Sequence, residues 1–374
     1  MEIKKKIAFV DCSNPDDKRS WSGTPYNLVQ QFKRFYELDP IWVRDTWLEK
    51  IGFKFFKGIY RLMGKNGNLR LTTVFAKLKG KQVTKRLKEK KYDIVYFHDI
   101  ELAAYTKTDI PKRVYFSDAT FHLMVDYYLF NLTKSTIKTG NKLQRRSLEN
   151  CNVNVFASNW AMRDAVDYYH IPKENCHLGY LGASVDTKEF KKQKHDSNIV
   201  NLLFVGVDWV RKGGEIAVEC TKLLNEKDPS KKYILHFVGC NPPYQIKDEH
   251  IKFYGFLNRN IPEQAQLMIS LREQADLFVL PTRAECAGIV FCESSAYGIP
   301  SITYDTGGVG DYVINGENGY RLPMGSKAED FANKIFEILS DSEKLEYMQK
   351  KAAEMYNERM NWDSLGDRFK DLIG

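Results

Sequence analysis

Glu285 and Glu293 stand with seven residues between them in the stretch ADLFVLPTRAECAGIVFCESSAYGIPSITYDTGGVGDYVINGENGYRLP, residues 275–323. The apolar run through Leu280 stops at Pro281, the pattern of a buried parallel strand ending at the carboxyl edge of a sheet. A polar loop carrying Glu285 and Gly288 follows, and from Ile289 to Tyr297 the pattern turns helical. The N–H groups near Gly288, Ile289 and Val290 are therefore expected to point out of the strand's end with the positive end of a helix dipole behind them, which is an anion site by geometry. A carboxylate beside an anion repels it. The two acids make more sense as acceptors for neutral hydroxyls on either side of a diphosphate, a sugar on one side and a ribose on the other. A second glycine loop, Thr306 to Gly310, follows the next strand, Ser301 to Tyr304, and is expected to bring more N–H groups to the same place.

Cations for such an anion stand earlier. Asn201 to Val205 reads as a strand, a helix begins at Glu215, and between them lie Gly206 and the run Arg211-Lys212-Gly213-Gly214. Two cations before a glycine pair, between a strand end and a helix start, form a phosphate site, Arg211 as a fork and Lys212 as a point charge.

These residues carry a resemblance. Glu285 and Glu293 with the Gly298-Ile299-Pro300 and Gly307-Gly308 continuation look like the E-x7-E motif of retaining nucleotide-sugar glycosyltransferases of family 4, and the Phe204-Val205-Gly206 to Gly214 line resembles that family's diphosphate-binding strand and loop. The resemblance implies a GT-B fold: an α/β protein of two Rossmann-like, doubly wound parallel-sheet domains facing each other across a cleft. It implies domains at 1–184 (acceptor-binding) and 199–360 (nucleotide-sugar-binding), a linker at 185–198, and a closing helix over 361–374 that crosses back to the first domain. It also implies a donor gripped by Gly23, Arg211, Lys212, Glu285, Gly288, Ile289, Val290 and Glu293.

The first half of the chain has the same strand and helix alternation. Lys6–Asp11 is a strand, and Trp21-Ser22-Gly23-Thr24-Pro25 leads into a helix at its carboxyl end, with Pro25 suited to the first turn. Asp93–Phe97 ends at His98, and Val114–Phe116 ends just before Asp118. Polar groups at successive strand ends converge on one edge, where open α/β sheets bind ligands, so His98 and Asp118 are the candidates for an acceptor hydroxyl. Members of the family often carry a histidine where this chain has Asp118. His122 fits packing as well as function.

Charge is unevenly placed. The chain carries +8 overall, yet residues 50–91 hold fourteen Lys and Arg against the single acid Glu89, leaving −5 for the rest. Within that segment Phe53, Phe56, Tyr60 and Met63 recur at helical spacing beside Lys54, Lys57, Arg61 and Lys65. Two readings stand: a basic amphipathic helix on an anionic membrane surface, or an ordinary helix whose aromatic face covers the first sheet. Nucleic acid is not expected, because no recognition motif accompanies the charge.

A hydrophobic fraction of 43% over 374 residues supports two cores, and no run of eighteen apolar residues occurs, so a cytoplasmic protein is expected, at most peripheral on a membrane. The seven cysteines are scattered without a C-x-x-C pair and read as reduced thiols, Cys286 included. No D-x-D occurs, so the sequence does not require a metal at the diphosphate, and no cofactor is expected.

The resemblance thus implies a retaining hexosyl transfer from a nucleotide-diphosphate sugar, UDP favoured and GDP next, to a glycan, lipid-linked or protein acceptor in envelope or capsule polysaccharide assembly. Asp118, Lys212 and Glu285 are its expected catalytic group. A GT-B nucleotide-sugar epimerase and a catalytically silent scaffold are the rival readings. A nicotinamide enzyme is a poor one, since Gly308-Val309-Gly310 lacks the third glycine of its fingerprint. Base, sugar, linkage and oligomeric state are open at this level.

Overall fold

The computed structural model describes residues 4–12, 14, 16–17, 20–185 and 198–374. The chain forms two compact units, one of residues 1–181 with 362–374 and one of residues 182–361. Each is built on a six-stranded sheet in which every pairing is parallel.

In the first unit the strands are β1 (Lys6–Asp11), β2 (Glu37–Trp42), β3 (Ile94–Phe97), β4 (Lys112–Ser117), β5 (Val153–Phe156) and β6 (Cys176–Leu178), in the order β2-β1-β3-β4-β5-β6. β3 is a continuous apolar run, and β1 and β5 are buried along nearly their whole length, because helices cover both faces of a parallel sheet. The last helix, Trp362–Ile373, packs in this unit: Phe369 lies edge-on to Phe32, Tyr96 and Phe116, and Gln31 donates to Asp363 at 3.0 Å.

The second unit has β7 (Ile199–Gly206), β8 (Lys232–Gly239), β9 (Ile251–Gly255), β10 (Leu277–Leu280), β11 (Ser301–Tyr304) and β12 (Gly319–Leu322), in the order β12-β11-β10-β7-β8-β9. The sheet reverses direction of growth between β7 and β10, and the carboxyl ends of those two neighbours form its topological switch point, where open α/β sheets take ligands. Both cation-bearing and acid-bearing loops leave from there.

Three expectations need correction. The units divide after Leu181, ahead of the predicted linker at 185–198, because the Ala183 N–H already bonds the Met360 carbonyl of the second unit at 3.1 Å; positions 186–197 of that linker lie outside the described residues. Arg211 and Lys212 sit on a one-turn helix, Trp209–Lys212, where an open loop was expected, since Asp208 caps it by accepting from the Arg211 N–H at 2.9 Å. Two helices, Ala328–Leu339 and Ser342–Arg359, follow the second sheet, and Asp341 separates them by capping the second through the Lys344 N–H at 3.0 Å. The loop 306–310 lends fewer N–H groups than expected: that of Gly308 is spent on the Glu285 carbonyl at 3.1 Å and that of Val309 on Thr306 at 3.2 Å.

Among the described residues no helix is long and apolar enough to cross a membrane.

Candidate active site

In the second unit, two loops from neighbouring strands are sewn together. The Arg283 N–H donates to the Arg211 carbonyl at 2.7 Å, the Arg211 guanidinium donates to the Ala284 carbonyl at 3.2 Å, and Arg283 reaches back to the Val210 carbonyl. Gly213 makes the approach feasible. Its φ of +71° suits a residue without Cβ, and a Cβ there would lie 2.2 Å from the Pro281 carbonyl oxygen. The consequence is that Lys212, 7% exposed, passes over the strand end beside Gly206 and pairs with the Glu285 carboxylate, seventy-three residues away in sequence. A nearly buried charge is costly unless it is paired, and Glu285 supplies the partner.

Gly288 caps the helix Ile289–Ala296 in a left-handed conformation, φ +98°, and has no side chain of its own to accept from the first turn. A Cβ there would stand 2.5 Å from the Phe291 ring and 3.2 Å from Glu285 Cγ, so the turn is tight against the acid loop. The structure therefore brings Arg211, Lys212, Glu285, Gly288, Ile289 and Val290 to one strand edge. What this edge can do is hold an anion between a helix N-terminus and two cations while a carboxylate stands next to it.

Glu293 is placed differently. It is 2% exposed, and its two oxygens accept from Arg272 and Arg259, each at 2.6 Å. Arg272 is buried, and burial pulls its guanidinium pKa down from the ordinary arginine value while Glu293 holds it up. Arg259 is half exposed and also donates to the Ser184 carbonyl at 2.6 Å. The free hydroxyl acceptor expected at this position is thus an ion-paired carboxylate. Neither arginine was legible as its partner, because the pairs span 34 and 21 residues and no local spacing announces them.

Trp209 was also missed. It stacks on Phe237 with ring centroids 5.2 Å apart and fixes the short helix that carries Arg211 and Lys212. Cys286 and Cys292 are buried free thiols, and burial together with Glu293 pushes the Cys292 thiol well above its usual range.

In the first unit, the sheet's carboxyl edge assembles a second polar group. Trp21, Ser22 and Gly23 all adopt positive φ, at +44°, +54° and +86°, and this folds the Trp21 ring back over the strand ends. Its Nε1–H donates to Asp118 at 3.2 Å, and its ring lies 5.4 Å from that of His98. The structure therefore joins His98 and Asp118 through a tryptophan that sequence reasoning passed over, because a left-handed bend at a non-glycine residue leaves no pattern. His98 Nε2 faces Asp11 at 3.6 Å and Asp99 at 3.7 Å, and its Nδ1 is buried without a hydrogen-bond partner. Burial and the Asp99 charge push the neighbouring Cys12 thiol up, which suits packing rather than nucleophilic work. His122 is a packing residue: it bonds Asp164 at 2.7 Å and stacks on Tyr168.

Two parallel α/β sheets of this order, with a cationic strand edge at the switch point of the second, define a GT-B protein, and solved structures share the architecture over the whole chain. Anabaena Alr3699/HepE in complex with UDP and glucose superposes with a TM-score of 0.64 at 15% identity, covering 99% of each chain. Residues 185–355 match the family described as Glycosyl transferases group 1. A D-inositol 3-phosphate glycosyltransferase of Corynebacterium aurimucosum is 21% identical over 249 residues, 61% of this chain; the chain spans 58% of that relative's length. An "uncharacterized 41.2 kDa protein in cps region" of Klebsiella pneumoniae is 24% identical over 285 residues, 72% of this chain and 74% of its own.

Proposed function

We propose that this protein is a retaining glycosyltransferase that moves a hexose from a nucleoside-diphosphate sugar to an acceptor hydroxyl. The observation that carries the reading is the junction of the 209–213 and 281–288 loops, which brings Arg211 and Lys212 against the loop that carries Glu285, ahead of the helix that starts at Ile289.

The chemistry follows from charge. Breaking the bond between a sugar and a diphosphate puts extra negative charge on the leaving oxygens and positive, oxocarbenium-like charge on the sugar. Lys212, Arg211 and the helix N-terminus are preorganised for the first, and such donors lower the barrier because they pay no reorganisation during the step. Glu285 pairs with Lys212; in this scheme it accepts from sugar hydroxyls while the lysine turns its remaining donors to phosphate. The acceptor attacks on the leaving group's own face, the departing phosphate takes its proton, and the anomeric configuration is retained without an obligatory protein base. Asp118 and His98 orient the acceptor at the edge of the first sheet. No step requires a bound metal in this scheme, since side-chain cations supply the charge.

A UDP-sugar is the favoured donor; the resemblance to the UDP-complexed Anabaena protein supports that preference. Envelope polysaccharide assembly on a glycan or lipid-linked acceptor is the proposed setting, supported by the basic surface of residues 50–91.

The test is thermal-shift and calorimetric titration with UDP, GDP, ADP and CMP without added metal, followed by Lys212→Gln. A ligand at a hundred times its Kd adds about 2.7 kcal/mol, roughly 5–10 °C for a unit of this size. One nucleotide is expected to give that shift and Lys212→Gln to remove it; because that substitution leaves Glu285 without its counter-ion, the unliganded melting temperature should fall too, and circular dichroism shows that the variant is folded. Well-folded protein that responds to none of the four refutes the donor site. With a donor sugar and acceptor in hand, an inverted anomeric product refutes retention, and epimerised sugar without acceptor favours the epimerase.

A further inference from the structure

The helix Trp47–Leu62 buries none of its sixteen residues, although it is rich in large apolar side chains. At ~100° per residue, Trp47, Leu48, Ile51, Phe55, Ile59 and Leu62 share one arc of about 120°, and all six are exposed, Trp47 by 69% and Leu62 by 90%. Lys50, Lys54, Lys57 and Arg61 fill a narrower arc, about 60° wide, that begins next to Trp47. A third arc holds the helix to the protein. Glu49 accepts from the buried Lys79 at 3.0 Å and closes a capping box with Thr46, Phe53 meets the Phe75 ring at 5.3 Å, and the Tyr60 ring lies over Gly67.

The helix is thus fixed by its polar and aromatic underside and turns its apolar face outward. That is the reverse of a surface helix covering a core, which buries its apolar stripe. An exposed patch of this size on a monomer marks an interaction surface. Its occupant must accept large aliphatic and aromatic side chains and, along one border, a row of cations. Residues 50–91 carry thirteen more positive than negative charges, and Lys77, Lys81 and Lys85 are exposed on the following helix, Thr73–Leu87, near its own exposed Val74 and Leu78. A nucleic acid would use the cations and leave the six apolar side chains in water. A lipid surface with anionic headgroups takes both.

We infer that the Trp47–Leu62 helix is a docking element for an anionic membrane surface, lying in the interface plane with its apolar arc sunk ~5–10 Å into the headgroup and acyl boundary. The inference is independent of the sugar-transfer chemistry, and its test uses no substrate.

The experiment is co-sedimentation of the full chain with vesicles of phosphatidylcholine containing phosphatidylglycerol, against vesicles of phosphatidylcholine alone. Two variants accompany it, I51S/F55S/L62S for the apolar arc and K50Q/K54Q/K57Q/R61Q for the cationic one; every substituted side chain is exposed, so the melting temperature serves as the folding control. Wild type is expected to bind the anionic vesicles, less so as salt rises, and to leave the neutral ones. The cation variant should lose about fivefold for each charge removed, and the apolar variant at least ~10-fold by loss of buried hydrocarbon. Failure of folded wild type to bind anionic vesicles overturns the inference, as does wild-type affinity in either variant. A concentration-dependent dimer that the apolar variant abolishes, without vesicle binding, gives the face to a second copy of the chain and overturns it equally.

Discussion

Replacing Glu293 with glutamine separates two roles that one side chain could hold. Glu293 sits at 2% exposure between Arg272, whose side chain is 4% exposed, and Arg259, at 45%. Glutamine keeps the volume and one accepting oxygen, but it leaves the buried Arg272 charge without a counter-ion. Arg259 can turn to solvent at little cost; Arg272 cannot. Removing one partner of a buried pair costs about 3–5 kcal/mol, most of it the uncompensated charge left behind. For a unit of this size that is roughly 6–20 °C of melting temperature.

The assay is thermal and urea unfolding of Glu293→Gln, Arg272→Met and the double variant. The single variants are expected to be strongly destabilised and the double variant less so than their sum, because removing both charges leaves no orphan. A Glu293→Gln protein within ~1 kcal/mol of wild type would refute the reasoning, since no orphaned charge would then have been created. The same numbers bear on ligand work. Loss of nucleotide binding on changing Glu293 carries no information about ribose unless the variant is shown to be folded, and the same control applies to Lys212→Gln, whereas Arg259→Ala removes an exposed partner at smaller structural cost.

Further expectations come from the same geometry. Lys212→Gln should lower kcat by roughly 10²–10³, the usual effect of losing one preorganised donor to a developing anion; an unchanged kcat in a steady-state assay removes Lys212 from the reaction. Gly213→Ala drives a Cβ to 2.2 Å from the Pro281 carbonyl at φ +71°, so the loop junction should open and nucleotide affinity fall at least ~10-fold with the sheet intact by circular dichroism. His236 is held neutral between Asn201 at 2.9 Å and Tyr254 at 2.8 Å, and burial, with Lys252 adding to it, lowers its pKa to about 4. The unfolded chain takes that proton first, near pH 6.5, so stability present above pH 6.5 should fall by about 3 kcal/mol as pH drops to 4, and His236→Gln should flatten that limb of a urea-denaturation series.

The parts of the site that could be read from sequence are those whose geometry is local. A strand that ends at Pro281, a loop, and a helix starting at Ile289 fix where the N–H groups of that helix point, and the observed helix begins at that residue. The same holds for the first-unit strands that deliver His98 and Asp118, since a parallel strand's carboxyl end is set by its own apolar run. What could not be read is pairing at a distance. The Lys212–Glu285 pair depends on β7 and β10 being neighbours in the sheet, and the Glu293–Arg272 pair depends on the helix Pro262–Gln274 presenting Arg272 inward.

The basic segment shows a different limit. Periodicity gives the angle between side chains on a helix but not the direction of the core, and here the stripe of Phe53, Phe56, Tyr60 and Met63 points neither way: Phe53 and Tyr60 turn to the protein, Phe56 and Met63 to solvent. The deciding contacts are Glu49 with Lys79 and Phe53 with Phe75, which come from the next helix and from an acid just outside residues 50–91. Once those fix the underside, the six apolar residues that no core contact needs are left facing out. A helix whose anchoring is polar and whose apolar face is spare has no stability reason to keep that face apolar, because each exposed Leu or Phe could be polar at little cost to folding. The apolar arc therefore belongs to something the chain binds, and substituting it should alter binding while leaving the fold as it is.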